Sequence, residues 1–207
     1  MGLYGRFFAA VYDRSVASTE EHGMRERRRS VLASATGRVL EIGAGTGLNL
    51  PLYPSSIEQL TLSDPQEPML RRLRRRVREL HRQVDTVQAP AERLPFPEGA
   101  FDTVVSTLAL CTVDDLPQAL GEIRRVLSSS GRLVVVEHVR SDDARVAGWQ
   151  DRLHTPWRFF ANGCHVNRDT RAALALAGFD VSELRGEEWT GAPALARPLI
   201  VGVATLP

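Results

Sequence analysis

Arg38-Val-Leu-Glu-Ile-Gly-Ala-Gly-Thr-Gly47 runs an apolar segment straight into three closely spaced glycines. Val39, Leu40 and Ile42 predict a buried strand of a parallel sheet. Gly43, Gly45 and Gly47 then let the backbone turn tightly and approach a ligand where any Cβ would collide. A helix is expected just after this loop. The spacing Gly-x-Gly-x-Gly sets the third glycine one residue earlier than the dinucleotide fingerprint does. That weakens a nicotinamide reading, because pyrophosphate needs a helix N-terminus, whereas a ligand without phosphates asks only for close backbone contact. Glu41 points the same way, since a carboxylate there repels phosphate and attracts an ammonium. A tight strand-to-helix turn without a ligand is the alternative.

Gln59-Leu-Thr-Leu-Ser63 predicts a second strand, ended by Asp64. Asp64 lies 19 residues beyond Gly45, the distance at which such folds place a carboxylate on ribose hydroxyls. It is also a candidate N-cap for the following helix, with Pro65 at the first helical position.

The 207 residues suit one domain, 43% hydrophobic and 25% charged, as in ordinary soluble globular proteins. A formal net charge of +1 gives no global field for nucleic acid, and every one of the 26 basic residues is arginine. Cys111 and Cys164 are too few for a disulfide scaffold and show no metal spacing, so reduced thiols and no metal are expected. No run approaches the ~20 apolar residues of a membrane span and no signal-peptide core opens the chain, so a cytoplasmic location is expected.

Tyr4, Phe7, Phe8, Val11 and Tyr12 fall on one face of an amphipathic helix, which must cover something. Ordinary packing against the domain and peripheral contact with a membrane surface are two uses of such a face. A second helix is expected over Ala17 to Ala35, with Met24, Val31 and Leu32 inward and Arg25 to Arg29 mostly outward. A third follows Asp64, its exposed surface an arginine stripe (Arg71, Arg72, Arg74, Arg75, Arg76, Arg78). That stripe reads as a solvated face or as a dock for an anionic partner. Further strands are expected at Val84 to Gln88, Asp102 to Ser106, Arg132 to Glu137, Phe179 to Leu184 and Leu199 to Ala204, with Ser128 to Gly131 as a turn. Helices are expected at Leu116 to Leu127, Ala144 to Phe160 and Asp169 to Ala177. Alternating strands and helices imply an α/β fold with a parallel sheet.

Glu41-Ile-Gly-Ala-Gly-Thr-Gly47, Asp64, Ala91-Glu-Arg-Leu-Pro-Phe96 and Phe101-Asp-Thr-Val-Val105, in this order, resemble the class I S-adenosylmethionine-dependent methyltransferases. The resemblance implies a Rossmann-like seven-stranded, mostly parallel sheet whose last strand is antiparallel, with helices on both faces. It divides residues 1–207 into a helical lid (1–36), a cofactor-binding core (37–140) and acceptor-side helices with closing strands (141–207). Tyr12-Asp13 would end the lid. S-adenosyl-L-methionine would be held by Glu41, Gly43, Ala44, Gly45, Gly47, Asp64 and Pro65. Ala91 and Glu92 would flank the adenine, and Thr107 and Leu108 would border the methionine moiety.

Methyl transfer from a sulfonium is a direct displacement that needs alignment, exclusion of water and a free lone pair on the acceptor. Candidates for acceptor-side chemistry are Glu137, His138 and Arg168, and candidate substrate contacts are Tyr4, Tyr12, Cys111, His154 and Trp157. Trp149, Trp157, Phe159 and Phe160 would wall an apolar acceptor site or form a plain helix core. Thr107-Leu-Ala-Leu-Cys-Thr-Val113, Val136-Glu-His-Val139, Trp149-Gln150, Pro156-Trp157, Gly163-Cys164 and Arg168 further resemble the thiol S-methyltransferases of animals. A small-molecule thiol is the acceptor this implies, with His138 or Arg168 favouring its thiolate. The same core resembles quinone C-methyltransferases and bacterial phospholipid N-methyltransferases. A cofactor-binding regulatory protein without catalysis is the non-enzymatic alternative, and the intact loop and Asp64 count against it.

Overall fold

The structure is a computed structural model, and it describes residues 12–206. Seven strands form one sheet: β1 (Arg38–Ile42), β2 (Gln59–Asp64), β3 (Asp85–Gln88), β4 (Phe101–Thr107), β5 (Leu127–His138), β6 (Arg185–Glu188) and β7 (Pro198–Thr205). Their order is β3-β2-β1-β4-β5-β7-β6. The first five run parallel and β7 is antiparallel to both of its neighbours. Helices α1 (residues 12–19), α2 (Arg25–Leu32), α3 (Glu67–Glu79), α4 (Leu116–Val126), α5 (Ala144–Phe160) and α6 (Thr170–Leu176) surround it.

Successive strand residues point to opposite faces, so the sheet divides the core in two. Val39, Leu62, Val105, Val134 and Val136 pack with Leu32 of α2 and Leu70 and Leu73 of α3. Leu40, Ile42, Val104, Leu133 and Val135 pack instead with Leu120 and Ile123 of α4 and Leu174 of α6. Both faces of the central strands are therefore buried, which is why they read as continuous apolar runs.

Five expectations are corrected. The helix expected over Ala17 to Ala35 breaks at His22 and Gly23, where φ/ψ leave the helical region and Gly23 takes φ +99°. Within the same run Arg28 is turned inward and is 4% exposed. No α-helix follows the glycine loop: residues 45–49 form turns and Leu50–Leu52 a single 3₁₀ turn, with Pro51 inside it and Pro54 just beyond. Helix α3 starts at Glu67, with Gln66 as N-cap and Pro68 in its first turn, so Asp64 and Pro65 precede the helix rather than open it. Ser128 to Gly131 does not separate α4 from β5; it bulges within β5, whose pairing with β4 jumps from Phe101–Leu127 to Thr103–Arg132. The strand expected at Phe179 to Leu184 is β6 instead, at Arg185–Glu188. Phe179 and Leu184 are buried for packing, and only an isolated bridge, Asp180 with Thr205, pairs that segment.

Three arginines of the α3 stripe are held by carboxylates of the domain: Arg74 by Glu67, Arg75 by Glu79 and Arg76 by Asp13. Among the described residues no helix is long and apolar enough to cross a membrane.

Candidate active site

A cavity of about 360 Å³ opens at the carboxyl ends of β1, β2 and β4. Ligands of open α/β sheets bind at this edge. Gly43, Gly45, Asp64, Pro65, Gln66, Met69 and Leu108 line one half of it. The three glycines, alike in sequence, do different things. A Cβ on Gly43 would stand 2.6 Å from Ala109 Cβ, and one on Gly47 2.6 Å from Leu73 Cδ1, so these two exist for packing. A Cβ on Gly45 (φ +57°) would meet nothing within 4 Å, which leaves the backbone there bare to the cavity. Ala44 is buried, its N–H donating to Ser63 O at 2.9 Å.

Asp64 fastens this loop to β2. Its Oδ2 accepts from Gly45 N–H at 2.9 Å and its Oδ1 from Gln66 N–H at 2.8 Å. Burial raises its pKa, and those two backbone donors pull it back down. Each oxygen keeps a lone pair for a diol. The bare backbone at Gly45, a carboxylate at the end of β2 and the apolar Met69 and Leu108 together fit a nucleoside with an amino acid chain.

Beneath the loop lies a buried polar network that the sequence reading did not find. Glu41, 2% exposed, accepts from Asn49 Nδ2 at 2.9 Å and from Tyr53 Oη at 2.7 Å. Arg28 donates to Thr107 Oγ1 at 2.8 Å, Asn49 Oδ1 at 3.1 Å and Glu20 Oε1 at 3.0 Å. Asn49 Nδ2 also donates to Thr107 Oγ1 at 2.9 Å. Burial pushes Glu41 up to about 7, against the opposing pull of Tyr53, Arg28 and Asn49. Glu41 and Thr107 thus support the loop from below and are not in the cavity wall.

Glu137 and Arg168, expected near the acceptor, brace the segment after β4 instead. Glu137 is fully buried; Oε1 accepts from Ser106 Oγ (2.6 Å), Ala109 N–H (2.9 Å) and Leu110 N–H (3.0 Å), and Oε2 from Cys111 N–H (3.1 Å). Arg168 Nη1 donates to the carbonyls of Leu110 (2.5 Å) and Val113 (3.0 Å). Between them Leu108 takes φ +58°, a conformation that L residues seldom adopt. Glu92 is likewise used on backbone, accepting from the N–H groups of Asp114 and Asp115, and neither it nor Ala91 lines the cavity.

The other half of the cavity is walled by Tyr12, Cys111, His138, Trp157, Phe160, Cys164 and Trp189. His138 stacks on Trp189 with ring centroids 5.8 Å apart. Burial lowers its pKa to about 4, the Ala196 carbonyl acting weakly the other way, so the imidazole is neutral at pH 7. Nδ1 of His138 and Nε1 of both Trp157 and Trp189 are buried without a hydrogen-bond partner among the described residues. Asp64 carries the one carboxyl group among the residues that line the cavity, and none of them is an arginine or lysine. His154 does not reach this wall; its Nε2 lies 3.0 Å from Nδ1 of His165. Trp149 is 53% exposed beneath Arg152, and Phe159 also points outward, so neither walls the acceptor half. Tyr4 lies outside the described residues.

Helix α1 closes the top with Tyr12, Ser15, Val16 and Thr19. Asp13 ties it down, accepting from Thr46 Oγ1 in the glycine loop and, at 2.9 Å, from Arg76 Nη2 in α3. A larger cleft of about 630 Å³ lies along β6 and the end of β5, away from the glycine loop.

Residues 40–135 match the model of the methyltransferase domain family. A human thiol S-methyltransferase, TMT1A, is 30% identical over 95% of this chain and 82% of its own length. A phosphatidylethanolamine N-methyltransferase of Cereibacter sphaeroides is 35% identical over 70% of this chain and 71% of its own. A demethylmenaquinone methyltransferase of Thermus thermophilus is 40% identical over 55% and 54%. Among solved structures, a SAM-dependent methyltransferase of Thermotoga maritima superposes with TM-score 0.71 at 20% identity, covering 98% of this chain and 97% of that one. The [4+2]-cyclase SpnF superposes with TM-score 0.70 at 22% identity, over 88% and 80%. The chain belongs to the class I S-adenosylmethionine-dependent methyltransferases, and its cofactor is S-adenosyl-L-methionine.

Proposed function

We propose that this methyltransferase acts on a small, uncharged thiol in the cytoplasm. The observation that carries the reading is the neutrality of the acceptor half of the cavity. Its polar groups are the Tyr12 phenol, the Thr112 hydroxyl, the Asn162 amide, the His138 imidazole, two indoles and two thiols, and no lysine or arginine stands among the residues that line it. A phospholipid headgroup would bring a phosphate without a partner, a costly burial. The likeness to the human thiol S-methyltransferase over 95% of the chain supports the same acceptor. A quinone ring would also tolerate a neutral apolar wall, which makes it the second reading.

S-adenosylmethionine supplies a methyl group already activated on a sulfonium. In this reading Asp64 accepts from the ribose diol, the bare backbone at Gly45 and the Leu108 segment hold the amino acid portion, and α1 excludes water. A thiol loses its proton near pH 8.5 and needs little help at neutral pH. His138, with its pKa near 4, is too weak to keep that proton. Neutral, it can accept a hydrogen bond from the S–H and so fix the direction of the sulfur lone pair. Glu137 and Arg168 act as positioning residues, holding the 108–113 segment from two sides.

The test is turnover with methyl-labelled cofactor and a panel of alkyl and aryl thiols, a short-chain quinol and phosphatidylethanolamine vesicles. Thiols are expected to be methylated and vesicles not. Turnover of quinol or lipid with thiols inert would overturn the reading.

A further inference from the structure

Cys111 and Cys164 come from different parts of the chain, yet both are buried and both face the acceptor half of the cavity. The backbone fixes their approach. His165 N–H donates to Cys111 O at 2.7 Å, and Arg168, four residues past Cys164, grips the carbonyls on either side of that segment. By standard peptide geometry that first bond holds the α-carbons of residues 111 and 164 within about 6 Å. A disulfide spans about 4.4 to 6.8 Å between α-carbons.

The two thiols are not equivalent. The mutual influence of the two thiols raises the pKa of Cys111 and lowers that of Cys164. The Arg168 guanidinium also favours the Cys164 thiolate, against burial and Glu137, while burial and Glu137 both disfavour that of Cys111. A nucleophilic thiol therefore lies at the wall with a resolving thiol behind it.

We propose that Cys164 and Cys111 form a dithiol that reduces small neutral disulfides entering the acceptor cavity. The Cys164 thiolate attacks one sulfur of the disulfide; the S–S bond breaks, one thiolate leaves, and a mixed disulfide forms on Cys164. The Cys111 thiolate then attacks the Cys164 sulfur, forming the Cys111–Cys164 disulfide and expelling the second thiolate. Two electrons pass from the cysteines to the incoming disulfide, and the two cysteine protons end on the two released thiols. A small dithiol reductant such as dithiothreitol restores the pair. That the natural substrate is the oxidised form of the methyl acceptor rests on the thiol reading; the exchange itself does not. An oxidised acceptor would then be reduced in the chamber where it is methylated.

The probe is 4,4′-dithiodipyridine, a neutral aromatic disulfide, at one equivalent per native chain. Wild type is expected to release two thiones per chain and to lose two hydrogens in mass, with peptide mapping locating a Cys111–Cys164 link. Cys111→Ser should stop after one thione, one pyridylthio group heavier, and Cys164→Ser should react at least about tenfold more slowly. Wild type ending with one stable pyridylthio adduct and one thione per chain would overturn the proposal, as would native protein that releases nothing while urea-unfolded protein reacts. The wild-type stoichiometry stands even if a variant fails to fold. Disulfide closure without thiol methylation would sink the acceptor reading alone, and methylation without closure would sink this proposal alone.

Discussion

Glu41→Gln isolates the cost of keeping a carboxylate under the glycine loop. In the folded chain Glu41 titrates at about 7 rather than its ordinary 4.5, because burial outweighs the Tyr53, Asn49 and Arg28 contacts. A raised carboxylate pKa means that the folded state resists ionisation. Below pH 4.5 the group is protonated in both states and costs nothing. As pH rises toward 7 the unfolded chain ionises first, and folding stability falls. At about 1.4 kcal/mol per pH unit, the full loss is about 3 kcal/mol at pH 7 and above. Glutamine keeps the shape, accepts from Asn49 and donates to the Tyr53 hydroxyl, and does not titrate. His138 works in the opposite direction, since its neutral form stabilises the fold above pH 6.5 and that stability is lost as pH falls toward 4. Both proteins carry His138, so its effect cancels in the difference. Urea unfolding at pH 5, 6, 7 and 8 should therefore show the variant gaining on wild type by about 2.5 kcal/mol across that range. Parallel stability curves, or a variant that loses ground at pH 8, would show that the burial cost is already met by Arg28.

Asp64→Ala should weaken cofactor affinity by on the order of 1.5 to 3 kcal/mol, roughly ten- to hundredfold, measured by calorimetry with S-adenosylmethionine; unchanged affinity would place the ribose elsewhere. Gly43→Ala should cost about 1 to 3 kcal/mol of stability, because its Cβ would stand 2.6 Å from Ala109 Cβ. Gly45→Ala, whose Cβ meets nothing, should cost only the roughly 1 kcal/mol of holding alanine at φ +57°, less than Gly43→Ala, which adds the Ala109 clash to the same backbone strain, and should impair cofactor binding; thermal melts and calorimetry on the pair separate the two glycines, and equal behaviour would refute the division of labour. Glu137→Ala should destabilise by at least about 4 kcal/mol, because it strands Ser106 Oγ and the N–H groups of Ala109, Leu110 and Cys111; a loss under about 1 kcal/mol in urea would contradict the bracing role.

The elements legible in the sequence were those with a local signature. β1 and its glycines, the Asp64 strand end and α5 from Ala144 to Phe160 follow from apolar runs, glycine and helical spacing. Arg28 was hidden in an arginine run that reads as a solvated face. Its partners Asn49 and Thr107 lie 21 and 79 residues away, so no spacing announces them. β6 was misplaced because the apolar alternation belongs to the packed segment 179–184, whereas the edge strand itself, Arg-Gly-Glu-Glu, carries no apolar residue. Glu137 and Glu92 looked like chemistry because they are acids at strand and loop ends. Which lone pairs are already taken by backbone N–H groups is a tertiary fact.

Asp13 gives the N-terminal helix a clock. One carboxylate joins that helix both to the loop floor through Thr46 and to α3 through Arg76. Any path that lifts the helix from the pocket must break both bonds at once, so the spent cofactor cannot leave by that route while its cover stays latched. On that reading, the dwell time of the bound nucleoside is expected to depend on a residue that never touches it.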